Sequence, residues 1–227
     1  MKILVTGTNG FLGRALFGQL KKTSYTLFPI VRKKINTEDI ECDIGNASNL
    51  LTVLNYYQPD IIINCAGLTN VEECEKKSEK AYFLNGYLPG EIARITSKLK
   101  VKLIHISTDH LFSGGKEKEE EASPIKPLNI YAKSKSIGDQ EVQKYDDSAL
   151  IIRTNFFGLG PIYKPSFSDK IISSLKNNQK IYLFSDVFYT PIHVHTLANY
   201  ILELVNINSK GIFNVCSNNR ISKFDFG

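Results

Sequence analysis

The stretch Ile3-Leu4-Val5-Thr6-Gly7-Thr8-Asn9-Gly10-Phe11-Leu12-Gly13 constrains the fold more than any other, because a short apolar run stops at three glycines spaced three apart. The run predicts a strand, and the glycines predict a tight turn that opens into a helix. Glycine takes positive φ freely and lets a ligand or another backbone come within contact distance. The unpaired N–H groups at the start of such a helix, with the positive end of its dipole, suit a pyrophosphate. An ordinary strand-to-helix turn has the same outline. The spacing is also G-x-x-G-x-x-G rather than G-x-G-x-x-G, so the rest of the chain must decide.

Strand and helix signals alternate through the next hundred residues. Arg14 to Lys22 carries a helical period through Ala15, Leu16, Phe17 and Leu20, and Tyr25 to Val31 reads as a second strand, which completes a β-α-β unit. In dinucleotide sites that strand usually ends in an acid for the ribose 2'-hydroxyl. Here it ends in Arg32-Lys33-Lys34, cations that favour a 2'-phosphate and so NADP(H), although basic strand ends also serve solubility. Ile40 to Ile44 predicts a short strand, Ala47 to Tyr57 a helix, and Asp60 to Asn64 a near-continuous apolar strand of the kind covered on both faces. Its end, Asn64-Cys65-Ala66-Gly67, is again small. Helices over Val71 to Ser78 and Glu79 to Ser97 precede a strand over Val101 to Ser107. This alternation predicts a doubly wound parallel sheet of Rossmann type, whose ligands bind at the carboxyl ends of the strands.

Residues 110–128 read as loop, with a mixed-sign run from Lys116 to Glu121 that should be solvated. A helix from Asn129 or Ile130 to about Tyr145 and a strand from Ala149 to Arg153 come next. Beyond a glycine- and proline-rich stretch, Ser168 to Asn177 reads as a helix and Ile181 to Phe184 as a short strand. Pro191 to Val194 and the helix Thr196 to Ile207 look like a return to the main sheet, and Gly211 to Val215 is a final strand.

Composition narrows the partners. Hydrophobic content of 42% with 22% charged residues is that of an ordinary soluble globular protein. No apolar run reaches the roughly 18 residues of a membrane span, and no leader is evident, so a cytoplasmic protein is expected. The net charge of +5 is spread among carboxylates, which argues against nucleic acid and suits small anionic ligands. Cys42, Cys65, Cys74 and Cys216 include no C-x-x-C pair, and no metal site is expected. His193 and His195, without partner ligands, read as structural.

Tyr131 and Lys135 are four apart on a predicted helix and share one face. The spacing is one that chance supplies, and its weight comes from its place downstream of the glycine turn and of Thr108, which ends a sheet strand. A phenol is a poor acid-base at neutral pH unless an adjacent ammonium lowers its pKa.

Taken together, Thr6-Gly7-Thr8-Asn9-Gly10-Phe11-Leu12-Gly13, Asn64-Cys65-Ala66-Gly67, Ser107-Thr108-Asp109 and Tyr131-Ala132-Lys133-Ser134-Lys135 resemble an extended short-chain dehydrogenase/reductase. Ile106 to Phe112, Ile152-Arg153-Thr154-Asn155 and Gly211 to Val215 are similar to the dTDP-4-dehydrorhamnose reductase branch. The resemblance covers nearly the whole chain. It implies an NADPH-dependent reductase of the 4-keto group of a nucleotide-linked 6-deoxy sugar, in polysaccharide precursor synthesis. Tyr131 would protonate the carbonyl oxygen, Lys135 would lower the tyrosine pKa and hold the nicotinamide ribose, Thr108 would hydrogen-bond the same oxygen, and Asn85 would support a proton relay. Gly7, Asn9, Gly10, Phe11, Leu12, Gly13 and Arg32 would hold the cofactor with Asp43 and Ile44 at adenine and Ala66 and Gly67 beside pyrophosphate and ribose. Arg153 and Asn155, with Thr154, would face substrate, although Arg153 could equally pair with a carboxylate. The implied organisation is an NADP(H)-binding domain of residues 1–155 plus about 186–207, with a small substrate lobe of about 156–185 plus 208–227. The resemblance allows a homodimer.

His110 stands where this branch usually has tyrosine, and His195 where the wider superfamily has an acid, so the sugar preference is open. Family members generally run longer, and Ser222-Lys223-Phe224-Asp225 has the form of a capping box with two residues behind it, so a truncated lobe is expected. Two other readings stand beside the reductase. One is a regulatory subunit that binds cofactor without turnover, against which Thr108, Tyr131 and Lys135 count. The other is an NAD-dependent epimerase or dehydratase, against which Arg32-Lys33-Lys34 count.

Overall fold

The computed structural model describes residues 1–115 and 117–227. β1 (Lys2–Thr6), α1 (Phe11–Leu20), β2 (Thr26–Val31), β3 (Ile40–Glu41), α2 (Ala47–Tyr57) and β4 (Ile61–Asn64) keep the expected alternation. α3 (Val71–Lys76) and α4 (Ser78–Ala81) lead into one π-helical turn, Tyr82–Tyr87, and then α5 (Leu88–Leu99). β5 (Lys102–Ile106), α6 (Ile130–Tyr145) and β6 (Leu150–Thr154) complete the nucleotide-type half. The rest comprises β7 (Phe156–Phe157), α7 (Phe167–Lys176), β8 (Phe188–Tyr189), β9 (Ile192–His193), α8 (Val194–Asn206), β10 (Gly211–Val215), β11 (Ile221–Ser222) and α9 (Lys223–Phe226).

Seven strands form one parallel sheet in the order β10-β6-β5-β4-β1-β2-β3. Its strands are apolar at nearly every position because both faces are buried. Ile3, Val5, Ile63, Ile104 and Ile152 pack against Leu16 and Leu20 of α1 and Leu197 and Ile201 of α8. Leu4, Ile62, Leu103 and Ile151 point the other way, onto α2, α5 and α6 through Leu50, Leu54, Ile92, Ile95 and Val142. The alternation of these two sets along each strand is the period of two that any strand imposes.

Several expectations need correction. Gly211 to Val215, grouped with the lobe, is the edge strand of the main sheet, paired with β6 from Gly211 opposite Leu150 to Val215 opposite Thr154. Ile192–His193 does not rejoin that sheet but pairs with β7, and β8 pairs with β11. The return to the main body is made by α8 instead. Ile181 to Phe184 is not a strand: among the described residues no strand lies alongside it, and an unpaired strand leaves its backbone unsatisfied. The segment expected as a solvated loop begins with Lys116, which lies outside the described residues. Its later part packs back on the sheet edge, where Glu121 Oε1 accepts from Asn214 N and the Glu119 carbonyl accepts from the Asn214 side chain. An edge strand covered in this way offers less unpaired backbone to other chains.

Candidate active site

Each predicted site segment lies at the carboxyl edge of the parallel sheet. At the end of β1, Gly7 has φ of 71° and its carbonyl accepts from Gly10 N at 2.8 Å. A Cβ on Gly13 would collide with the Gly7 carbonyl, so the turn and the start of α1 close only with glycine there. Gly10 caps α1 without a side-chain hydrogen bond, and the Thr8 hydroxyl is buried without a partner. First-turn amides and a buried orphan hydroxyl at a glycine cradle fit a pyrophosphate. Leu12 and Gly13 are buried and contribute backbone only, while the Phe11 ring packs on Phe156. Asn9 joins the turn to the basic segment after β2, donating to the Lys33 carbonyl at 3.1 Å, and its own carbonyl accepts from the Tyr163 hydroxyl at 2.8 Å. Arg32 is exposed at that strand end. Asp43 is also exposed and closes a local turn onto Gly45 N, while Ile44 packs partly into the core.

Thr108, Tyr131 and Lys135 converge where β5 ends and α6 begins. Asn129 caps α6 by accepting from Ala132 N at 2.8 Å, which places Tyr131 in the first turn. Thr108 is buried, and its oxygen accepts from His110 N at 3.2 Å. Burial pushes the Tyr131 phenol up to about 12, and the neighbouring Thr108 hydroxyl pulls the other way. The expected lowering by Lys135 is not what the structure shows. The lysine Nζ turns inward, donating to the Ile106 carbonyl at 2.6 Å and lying 3.3 Å from His105 Nε2. Burial brings Lys135 down to about 8, against the opposing pull of Asp139 and Cys65.

Helix α6 reaches this position because glycine lines its contact with the preceding helical run. A Cβ on Gly138 would collide with the Asn85 carbonyl, and one on Gly90 would sit 2.6 Å from the Glu141 Cβ. Asn85 lies in the π-helical turn, a feature frequent at functional sites. Its side chain clamps the backbone of Leu68, accepting from N at 2.8 Å and donating to O at 2.9 Å, and donates to Ser134 Oγ at 3.1 Å. Ser134 in turn donates to the Tyr131 carbonyl at 2.8 Å. Asn85 thus fixes Ala66–Leu68 and α6 relative to each other. Gly67 is exposed beside it.

Arg153, which the sequence leaves open between substrate and a structural carboxylate, takes the carboxylate. It is 6% exposed, with Nε 2.9 Å from Asp139 Oδ2 and Nη1 donating to the Glu121 carbonyl. A buried guanidinium already paired with a buried carboxylate is not free to turn toward a ligand. Asn155 is half-buried and donates to Asp109 Oδ1 at 3.1 Å. His193 accepts from His195 N at the start of α8, a capping contact.

Four residues to which sequence reasoning gave no role of their own pack at this centre: Asn64, His105, Ser134 and Asp139. Two had a signal. His105 is a polar residue set between Ile104 and Ile106 in the strand, and Asp139 sits one helical turn after Lys135. A surface pocket of about 520 Å³, bordered by Phe157, Ile192, His193, Tyr200, Cys216 and Phe226, lies in the lobe and includes none of the Thr108, Tyr131 and Lys135 trio.

Comparison with known proteins finds relatives over nearly the whole chain. Among curated relatives, the spore coat polysaccharide biosynthesis protein SpsK of Bacillus subtilis is 31% identical, with 99% of this chain and 76% of that protein covered. The dTDP-4-keto-6-deoxy-D-glucose reductase of Streptomyces niveus is 27% identical over 98% of this chain and 75% of its own length. Among solved structures, dTDP-4-dehydrorhamnose reductase from Bacillus anthracis in complex with NADP superposes with a TM-score of 0.89 at 30% identity, covering 99% of this chain and 78% of that one. The family described as RmlD substrate binding domain matches residues 1–227, and the chain belongs to it.

Proposed function

We propose that this protein is an NADPH-dependent reductase of the 4-keto group of a nucleotide-linked 6-deoxy sugar, acting in the synthesis of polysaccharide precursors. The observation that carries the reading is the meeting of Thr108, Tyr131 and Lys135 on the sheet edge that also holds the glycine turn. The turn from Gly7 to Gly13, with Asn9, Gly10 and Phe11, would hold the pyrophosphate on the α1 amides. Arg32 would face the 2'-phosphate, Asp43 and Ile44 the adenine, Ala66 and Gly67 the pyrophosphate and ribose, and Lys135 the nicotinamide ribose. When bound, NADPH supplies the hydride.

Tyr131 supplies the proton. A phenol pushed up to about 12 is fully protonated at neutral pH, which is the form an acid must have before it donates to a carbonyl oxygen. Thr108, beside that phenol, would donate to the same oxygen as negative charge develops there. Asn85, through Ser134 and the Leu68 backbone, acts as a positioning residue for α6. Asn155 and Asp109 border the carbonyl site on the β6 side.

The test is NADPH consumption with dTDP-4-dehydrorhamnose. Tyr131→Phe is expected to lower kcat by about 10²- to 10⁴-fold, the usual range for loss of a general acid, with the fold retained. Full activity in that variant would remove Tyr131 from the role.

A further inference from the structure

The segment after β2 is not simply basic. Arg32, Lys33 and Lys34 are followed closely by Glu38, Asp39, Glu41 and Asp43, so acid and base come near to balance. A preference for a 2'-phosphate cannot then come from net charge, and depends on where each charge is held. Three of the acids are engaged away from the cations. Glu38 Oε1 pairs with Lys21 Nζ at 2.5 Å, Glu41 Oε2 accepts from Lys34 N at 3.0 Å, and Asp43 Oδ1 accepts from Gly45 N at 3.1 Å. The hydrogen bonds of Lys33 and Lys34 run through their backbone, and among the described residues no carboxylate pairs with the side chain of Arg32, Lys33 or Lys34.

Asp39 is held differently. Every residue from Arg32 to Glu38 is exposed, whereas Asp39 is 3% exposed beneath them. Its Oδ2 accepts from Ile35 N at 2.9 Å, from Asn36 N at 2.7 Å and from Asn36 Nδ2 at 3.4 Å, while its own N donates to the Asn36 carbonyl at 3.2 Å. Residues 32–39 join β2 to its parallel neighbour β3, a connection that usually takes about a dozen residues or more. An exposed polar link of this kind has no apolar contacts to fix it, and each residue ordered costs conformational entropy. The bracing is therefore polar. The Asn9 side chain holds the Lys33 carbonyl, Glu41 holds Lys34 N, and Asp39 holds Ile35 N and Asn36 N, so the backbone is tied at every residue from Lys33 to Asn36 while the three cationic side chains stay unpaired.

We infer that Asp39 is a positioning residue for cofactor selectivity: by gathering the Ile35 and Asn36 amides beneath the loop, it fixes the backbone that presents Arg32, Lys33 and Lys34 to the 2'-phosphate of NADP(H). The inference rests on the cofactor half of the reductase reading and on nothing about the sugar. A loop ordered in advance spares the cofactor the cost of ordering it on binding. All three donors meet one oxygen, so what the loop requires at this position is an acceptor more than a charge. Asparagine can keep that oxygen in place, whereas alanine leaves the amides without it.

The test titrates the intact chain with NADPH and, separately, with NADH, followed by nicotinamide fluorescence and with no sugar present. The unmodified protein is expected to bind NADPH more tightly than NADH. Asp39→Ala is expected to weaken NADPH about tenfold or more while NADH changes by less than about threefold, since a contact to a charged group carries that much affinity and only NADPH has the 2'-phosphate. Asp39→Asn is expected to keep the preference within about threefold of the unmodified protein. A variant that merely loosened the fold would lose both cofactors together and leave their ratio unmoved. An unchanged ratio in Asp39→Ala, or a loss in Asp39→Asn as large as in Asp39→Ala, overturns the inference. Should Asp39→Ala not fold, amide hydrogen exchange of the unmodified, cofactor-free protein decides: slowed exchange at Ile35 and Asn36 is expected, and exchange at the rate of an unstructured chain overturns it. A protein that prefers NADPH and keeps that preference in Asp39→Ala loses only the role of Asp39. An unmodified protein with no preference between the two cofactors overturns the NADP(H) assignment and the inference with it.

Discussion

At the residue scale, the site is governed by burial more than by the pairing that the Tyr131 and Lys135 spacing suggested. The two side chains do share a helix face, but burial raises the phenol and lowers the amine, and Lys135 points to Ile106 and His105 instead of charging its neighbour. No residue spacing reports how deep a side chain lies, so this part of the chemistry was illegible in the sequence, whereas the placing of Tyr131 and Lys135 on one helix and of Thr108 just past the end of a sheet strand was legible. The lowered lysine has a measurable signature in stability. Its pKa falls from 10.5 to about 8 on folding, so between these values the unfolded chain binds more protons than the folded one. Stability should therefore rise with pH from about 8, until Tyr131, shifted the opposite way from 10.0 to about 12, begins to counter it. Urea denaturation across that range should show the rise in the unmodified protein and a flatter profile in Lys135→Met.

At the scale of elements, most helices and strands could be located from period and punctuation. α2 and α6 fall where the sequence placed them, because each has an asparagine cap and a clear end. What escaped was the π-helical turn over Tyr82–Tyr87, since an extra residue in one turn leaves no mark on an apolar pattern that continues on either side. That turn carries Asn85, and its carbonyl meets α6 at Gly138, so the register of α6 is set by an irregularity in its neighbour. Gly138→Ala should force the two apart. A loss of about 1–3 kcal/mol is expected in thermal or chemical denaturation, with a larger fractional loss of activity than at a helix position facing solvent. Ile181 to Phe184 failed as a strand for the complementary reason: it is a short apolar run of the right kind, but pairing is a property of the neighbour and not of the segment.

At the scale of the whole molecule, the parallel sheet was legible from the alternation of elements, but its edge was not. β10 joins β6 across the entire lobe, and a pairing between segments this distant is decided by the tertiary fold rather than by local sequence. The Arg153–Asp139 pair braces the same region, tying β6 to α6 from inside. Asp139→Ala should leave the guanidinium buried and unpaired, at a cost of about 3–5 kcal/mol in chemical denaturation. The β6–β10 pairing also means that the chain from Asn155 to Lys210 leaves the sheet and returns to an adjacent strand. Such a segment is an excursion with both feet on one rigid platform. Its length can change at a closure cost that grows only slowly, about 0.6 kcal/mol per doubling, without any sheet strand having to find a new partner. Lineages can thus rebuild what this excursion grips while the strand edge that holds Thr108, Tyr131 and Lys135 stays as it is.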